Sequence, residues 1–481
     1  MRIYNTLSRQ KELVVPIRKG HIGIYSCGPT VYFYPHIGNF RTYVIQDLLK
    51  LALIQRGYAI THVMNITDVG HNIGDDDVGE DKVRAKAAIE HKSMKEISEF
   101  YTQIFYSNIA DLSLSAPTKI VKASEHVGMM LELIKELNNK GYLYKASNGV
   151  YFDTSKFKDY GRLSGMDFNE LNSNLKAGAR VERPKGLRNI TDFAVWRFAK
   201  GDETEMVWDS QFGRGFPGWH IECSAMSMHY LGKHFDIHCG GIDHIPIHHT
   251  NEIAQSEGAS GEKFVNYWFH TYFLIVDGKK MSKSKGNIYT IDDLKKMGHS
   301  IAAYKYLLLS SHYRSEINFT LKSLDSAENS LNRIYLAIDS LKEINFERDD
   351  LAIINRILDL QRQFDQAIED DLNTPAAFAL MHEAVSLMNT SIERKEIGIN
   401  GAKASVDMLR HADFIFRIGI CERIDKKNTI PEDARKLIEI RNAARNTKDF
   451  EGADAARIEL KEKYGITIED TPNGPKIRFD K

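Results

Sequence analysis

Between Ile22 and Ile66 the chain runs through an apolar strand, a tight turn, an amphipathic helix and a second strand, an order that few folds accommodate. The first run, Ile22 to Ser26, leaves into Cys27-Gly28-Pro29-Thr30, which reads as a strand ending in a turn. After His36-Ile37-Gly38-Asn39 a helical period extends from about Arg41 to Gly57, with Val44, Leu48 and Leu51 on one face. Tyr58 to Ile66 reads as the next strand. Strand, helix, strand is the unit of a doubly wound parallel sheet, so an α/β class is expected.

The remainder of the 481 residues leaves room for more than this unit. Gly70 to Asp81 is acidic and glycine-bearing, but it lacks the regular ligand spacing of a calcium loop and reads as a solvated loop. Helical patterning then continues to about Asn139. From about Tyr142 to Trp208 the texture changes to short strand-like pieces, such as Tyr151-Phe152-Asp153, read as an insertion between two halves of the sheet domain. Sheet character returns at His234–His238 and at Tyr272–Val276. Beyond about Asn287 the chain is mainly helical, with segments at Ile301–His312, Ser323–Lys342, Asp350–Glu369, Pro375–Glu393 and Ala402–Arg417 that suit a bundle. Two further helical runs, Pro431–Asn446 and Phe450–Tyr464, precede strand-like ends at Ile466–Ile468 and Lys476–Arg478.

Bulk properties exclude some classes. The net formal charge is -1, so any contact with nucleic acid must come from local basic patches rather than from the whole field. A basic face at Arg435, Lys436, Arg441, Arg445 and Lys448 is one such patch, although a solvated helix face is the plainer reading. Four cysteines (Cys27, Cys223, Cys239 and Cys421) are too few for a disulfide framework in a chain this long. Met1 to Lys19 lacks the apolar core of a secretory signal, and no stretch approaches the ~18 apolar residues of a membrane span. A cytoplasmic enzyme with no membrane partner and no evident obligate protein partner is expected.

Two segments point to nucleotide chemistry. His36-Ile37-Gly38-Asn39 lies where a strand gives way to a helix, where backbone N–H groups and the helix dipole favour phosphate. His36 can donate to phosphate oxygens, and Gly38 allows close approach to the backbone. Lys280-Met281-Ser282-Lys283-Ser284 follows a strand and the turn Asp277-Gly278. Two lysines able to swing onto a triphosphate stabilise charge as pyrophosphate leaves. A third group is Cys27, Cys223, His248 and Glu252. His248 and Glu252 are four apart, on one face of a helix, and thiolates with an imidazole and a carboxylate suit zinc. By spacing alone His249 is as good a ligand as His248.

The paired segments resemble the signatures of class I aminoacyl-tRNA synthetases. Cys27–Tyr32, His36–Arg41, Gly218–Met226, Asn251–Gln255 and Asp370–Pro375 resemble the cysteinyl-tRNA synthetase family in particular, across nearly the whole chain. That resemblance implies a Rossmann-like class I synthetase catalytic domain in two halves, 1–141 and 209–287, around a connective insertion at 142–208. A linker at 288–322, a helical-bundle anticodon-binding domain at 323–420 and a small C-terminal tRNA-contacting piece at 421–481 would follow. It implies ATP, with magnesium, contacted by Gly28, Thr30, His36, Gly38, Asn39, Gly241, Asp243 and Lys283, with His36, Asn39, Lys280 and Lys283 catalytic. It also implies one zinc on Cys27, Cys223, His248 and Glu252 that takes the thiol of L-cysteine, a pocket completed by Thr67 and Trp219, and tRNA(Cys) as acceptor. The chemistry is coherent, since an apolar pocket rejects a single-group isostere by only ~10–200-fold, whereas a soft metal separates thiol from hydroxyl directly.

The sequence departs from the family's usual pattern at Ile242, ahead of Asp243, at Thr250, in the length of the acidic stretch, and at Pro475-Lys476-Ile477. Two rival readings are a ligase that joins cysteine to an amino-sugar by the same chemistry and a non-catalytic RNA-binding paralogue. The long helical tail from Ser323 argues against the first, and the intact lysines and ligand set argue against the second.

Overall fold

The computed structural model describes the whole chain except residues 70–85, 88, 167–169, 171–183, 202, 280, 282–286, 427–430, 472–473 and 480–481, and except the side chains of 471, 474 and 476–479. The acidic stretch, Lys280 and Lys283 therefore lie outside the described residues. The chain divides into two compact units, residues 1–421 and 422–481.

An antiparallel hairpin, β1 (Arg2–Asn5) and β2 (Gln10–Leu13), opens the first unit. The central sheet follows, built from β3 (His21–Ser26), β4 (Ala59–Ile66) and β5 (Lys119–Lys122). β3 and β4 are joined by helix α1 (Ile37–Gln55), and α2 (Met94–Asp111) precedes β5. β5 was not expected; four residues, with Ile120-Val121 between two lysines, carry little strand signal. After helix α3 (Val127–Asn139), strands β6 (Leu143–Ala146), β7 (Gly149–Phe152), β8 (Phe193–Phe198) and β9 (Gly215–Pro217) form a separate antiparallel sheet. Its last strand lies past residue 208.

The chain then re-enters the central sheet through α4 (Trp219–Leu231), β10 (Phe235–Gly241), α5 (Thr250–Ser260) and β11 (Val265–Thr271). All neighbours in this sheet are parallel, in the order β11-β10-β3-β4-β5. Successive connections run outward in opposite directions from the β3/β10 pair. The carboxyl ends of those two strands thus flank a topological switch point, where open α/β sheets bind ligands. β11 was missed, because Asn266 and His270 interrupt its apolar run. The strand expected at Tyr272–Val276 is only β12 (Leu274–Val276), which pairs with β13 (Ile317–Phe319) outside the central sheet.

α1 is buried on nearly every side, including Arg41, Asp47 and Lys50. Lys50 Nζ donates to the Ala116 carbonyl at 2.6 Å, and Ser115 N donates to Asp47 Oδ1 at 3.1 Å, so these charges have partners where water is excluded. After α6 (Ile291–Lys296) and α7 (Ile301–Leu309) come four long helices, α8 (Leu321–Lys342), α9 (Leu351–Glu369), α10 (Thr374–Glu393) and α11 (Ile399–Phe416), close to the expected bundle segments. None of the described helices is long and apolar enough to cross a membrane.

The short helix α12 (Ile420–Asp425) runs past the unit boundary. In the second unit α13 (Glu432–Asn446) and α14 (Phe450–Tyr464) pack with the hairpin β14 (Ile466–Thr471) and β15 (Gly474–Phe479). The solvated-face reading of the basic residues fails at Arg441, which is buried and joins Arg445 and Arg457 in clamping Asp470. Helical spacing exposes the rest of the face but cannot reveal a carboxylate arriving from the hairpin.

Candidate active site

His36 caps α1. Its Nδ1 accepts from Asn39 N at 3.3 Å, and Asn39 Oδ1 accepts from His36 N at 3.0 Å, a reciprocal capping box. With Nδ1 accepting, the proton of the neutral ring sits on Nε2, which is left to donate. Burial holds the imidazole pKa below its ordinary value, favouring that neutral form. A Cβ at Gly38 would lie 2.1 Å from the Met281 methyl and 3.2 Å from the His36 ring. The room that sequence reasoning reserved for a nucleotide is thus shared with Met281, and the two signature segments meet there. Ile37 N also donates to the Tyr289 carbonyl at 2.8 Å, tying the exit of the lysine segment to the same turn.

Gly28 is required by a close crossing, since a Cβ would sit 1.6 Å from the Asn65 carbonyl oxygen. Thr30 pairs with Thr67 in an isolated parallel bridge, which joins the turn after β3 to the residue following β4. Thr67 is buried; its hydroxyl donates to Glu222 Oε2 at 3.1 Å and accepts from Asn65 Nδ2 at 3.0 Å. Gly241 ends β10, where a Cβ would overlap Asp243 Oδ1 at 2.2 Å, so glycine lets that carboxylate fold back over the strand end. Asp243 itself is exposed.

Cys27 follows the last residue of β3, Cys223 lies on α4, and His248 occupies a wide helical turn, Ile245–His249, that runs directly into α5 and Glu252. All four side chains are buried, and one donor atom from each lies within 4.8 Å of the others. Cys27 Sγ and Cys223 Sγ are 3.9 Å apart, and His248 Nε2 is 3.1 Å from Glu252 Oε1. Both thiols are free rather than bridged. Hydrogen bonding from Cys27 brings the Cys223 thiol down to about 7, while burial pushes Cys27 well up. Burial also opposes charge on Glu252 and His248. Their neighbours outweigh it: His238 and His248 hold the carboxyl down at about 2, and Glu252 and Cys223 raise the imidazole to about 10. Two thiols, an imidazole and a carboxylate, buried and convergent, fit the donor preferences of zinc.

A second set, Cys27, His238, His249 and Glu252, converges equally well. His238 Nε2 lies 2.9 Å from Glu252 Oε2, and its ring stacks on Trp268 at 4.6 Å. His249 Nε2 lies 3.4 Å from Cys27 Sγ; its Nδ1 meets His270 Nε2 at 2.8 Å, and His270 Nδ1 meets Thr6 Oγ1 at 2.7 Å. Only His248 belongs to the set that includes Cys223. Trp219 covers His248 with ring centroids 4.4 Å apart. Sequence reasoning missed His238 and His270 altogether. The available signal was compositional: eight of the chain's 18 histidines fall between His220 and His270.

The parallel sheet, the insertion before its second half and a polar site at the β3/β10 switch point define a class I tRNA synthetase catalytic domain. Residues 13–329 match the family model for the tRNA synthetases class I (C) catalytic domain, and residues 363–416 match the DALR domain. A cysteine–tRNA ligase of Treponema denticola is 42% identical over 98% of both chains. A cysteine–tRNA ligase of Burkholderia lata is 42% identical over 99% of this chain and 96% of its own. The chain belongs to the cysteine–tRNA ligase family. Solved structures share the fold at low identity. A Mycobacterium tuberculosis methionyl-tRNA synthetase in complex with methionyl-adenylate has a TM-score of 0.57 at 13% identity, over 90% of this chain and 96% of that one. An Agrobacterium radiobacter LeuRS in a ternary complex with tRNA has 0.60 at 12%, over 86% of each.

Proposed function

We propose that this chain activates L-cysteine with ATP, forming cysteinyl-adenylate and pyrophosphate, and transfers the cysteinyl group to the 3′ end of tRNA(Cys). The observation that carries the reading is the buried convergence of Cys27, Cys223, His248 and Glu252 at the end of the strand that feeds the His36 turn. Belonging to a family of cysteine–tRNA ligases supports it.

Cys27, Cys223, His248 and Glu252 would hold zinc, which when bound supplies a soft Lewis acid that prefers thiolate to hydroxyl. Thr67, fixed by Glu222 and Asn65, and Trp219, lying over His248, wall the amino-acid side. On the nucleotide side, Gly28 and Thr30 shape the turn, and Gly38 and Asn39 open α1 behind the His36 Nε2–H donor. Gly241 and Asp243 face the ribose. Lys280 and Lys283 neutralise the departing pyrophosphate, with magnesium accompanying ATP. The cysteine carboxylate attacks the α-phosphorus; the bond to the bridging oxygen breaks, and that oxygen leaves with pyrophosphate. The tRNA ribose hydroxyl then attacks the acyl carbon, and AMP departs.

Under this reading the two sheet halves (1–141 and 209–287) carry the chemistry. The insertion (142–208), the linker (288–322), the bundle (323–420) and the C-terminal piece (421–481) handle tRNA in the cytoplasm. Cysteine-dependent ATP–pyrophosphate exchange, followed by cysteine transfer to tRNA, tests it. No exchange would reject the activity, and exchange without transfer would favour a ligase acting on a smaller acceptor.

A further inference from the structure

The turn between α7 and β13 is gripped from two sides. On one side Arg41, buried in the first turns of α1, donates from its NH2 group to the His312 carbonyl at 3.2 Å and to the Ser315 carbonyl. The other terminal nitrogen donates to the Phe273 carbonyl. Phe273 precedes β12, the strand that runs into the Asp277-Gly278 turn and the lysine segment, and the same carbonyl accepts Ile317 N at 3.1 Å. A guanidinium whose terminal nitrogens are spent on three carbonyls is costly to bury, and burial lowers its pKa to about 10 against the opposing pull of Tyr304 and Glu316.

On the other side the turn meets Asp371, a fully buried carboxylate between α9 and α10, inside the stretch that matches the DALR domain. Asp371 Oδ1 accepts from the Tyr313 hydroxyl and from Tyr4 N at 2.7 Å. Oδ2 accepts from Arg314 Nε at 2.9 Å, and Arg314 NH2 lies 2.7 Å away. Asp371 and Leu372 both hold left-handed backbone angles, with φ of 65° and 52°, a strain that two successive non-glycine residues keep only where the surroundings demand it.

We propose that Asp371 is a positioning residue for adenylate formation: it seats the 312–315 turn, through which Arg41 aligns both the His36 end of α1 and the strand feeding the lysine segment. The inference rests on the nucleotide-site reading above. It makes the orientation of that site depend on the helical region, because the carboxylate anchoring the turn comes from the helical region.

The test is cysteine-dependent pyrophosphate exchange by the full chain and by Asp371→Asn, Tyr313→Phe and Arg41→Lys. Asp371→Asn and Tyr313→Phe should raise KM for ATP about tenfold or more while KM for cysteine stays within about twofold. Asp371→Asn combined with Arg41→Lys should be no worse than the worse single variant, because both act through one turn. Tyr313→Phe removes a single hydroxyl and keeps the question open should Asp371→Asn fail to fold. Wild-type KM for ATP in the variants that fold overturns the proposal, as does a double variant whose losses multiply. Equal rises in KM for ATP and cysteine indicate a merely structural role and also overturn it. Absence of exchange in the unmodified chain rejects the site reading and this inference together, whereas insensitive variants of an active chain reject this inference alone.

Discussion

The Met281 methyl occupies the space that a side chain at Gly38 would need, 2.1 Å from where its Cβ would lie. Gly38→Ala should therefore displace Met281 rather than the helix, because the obstructing atom is the far end of a flexible side chain and alanine suits a helix better than glycine. We expect a stability change under about 1 kcal/mol by urea unfolding, with KM for ATP in exchange rising about tenfold. Adding Met281→Ala should recover part of the loss. An unchanged KM in Gly38→Ala would show that the contact does not bear on the nucleotide.

Gly28 presents the opposite case. Its missing Cβ would sit 1.6 Å from the Asn65 carbonyl oxygen, and a backbone atom at the end of β4 cannot move alone. Gly28→Ala should cost about 3 kcal/mol or more in urea unfolding and reduce exchange in parallel. A variant with wild-type stability would contradict the close crossing.

Cys223→Ser should lower bound zinc at least about tenfold, measured by elemental analysis, and lower the ratio of cysteine to serine activation. A protein that keeps both its metal and its preference would remove Cys223 from the ligand set. His248→Ala should behave likewise, whereas His249→Ala should retain metal at an affinity weakened ~10–100-fold, as expected of a residue touching the site from behind. The reverse order would assign the metal to the Cys27, His238, His249, Glu252 set.

Acid should destabilise the fold through His62. Its ring is buried, Nε2 lies 2.9 Å from Ser26 Oγ, and burial lowers its pKa to about 3. The unfolded chain binds a proton near pH 6.5 and the folded chain does not. Stability is therefore fully present above about pH 6.5 and lost as pH falls toward 3. Between pH 7 and 5 this one group should cost about 2 kcal/mol. Urea midpoints at both pH values should show His62→Gln losing correspondingly less on acidification; an equal loss in both proteins would acquit His62.

Much of this was legible beforehand because it is local. The period of α1 and the alternation of strand and helix each lie within a few turns of chain. So do the i,i+4 pair His248 and Glu252 and the helical runs that match α9, α10 and α14. What escaped was short or interrupted: β5 has too few residues to declare a period, and β11 is an aromatic run broken by Asn266 and His270.

The sequence by itself determined which chemical groups are present and which short segments carry them, because helix spacing, capping and turn preference depend on neighbours along the chain. Tertiary structure alone decided that Cys27 meets Cys223, that Met281 closes on Gly38, and that Asp371 and Arg41 hold one turn between them. Those pairings span long stretches of sequence and leave no local spacing to read, because they form only when helices and loops pack against the sheet and against one another.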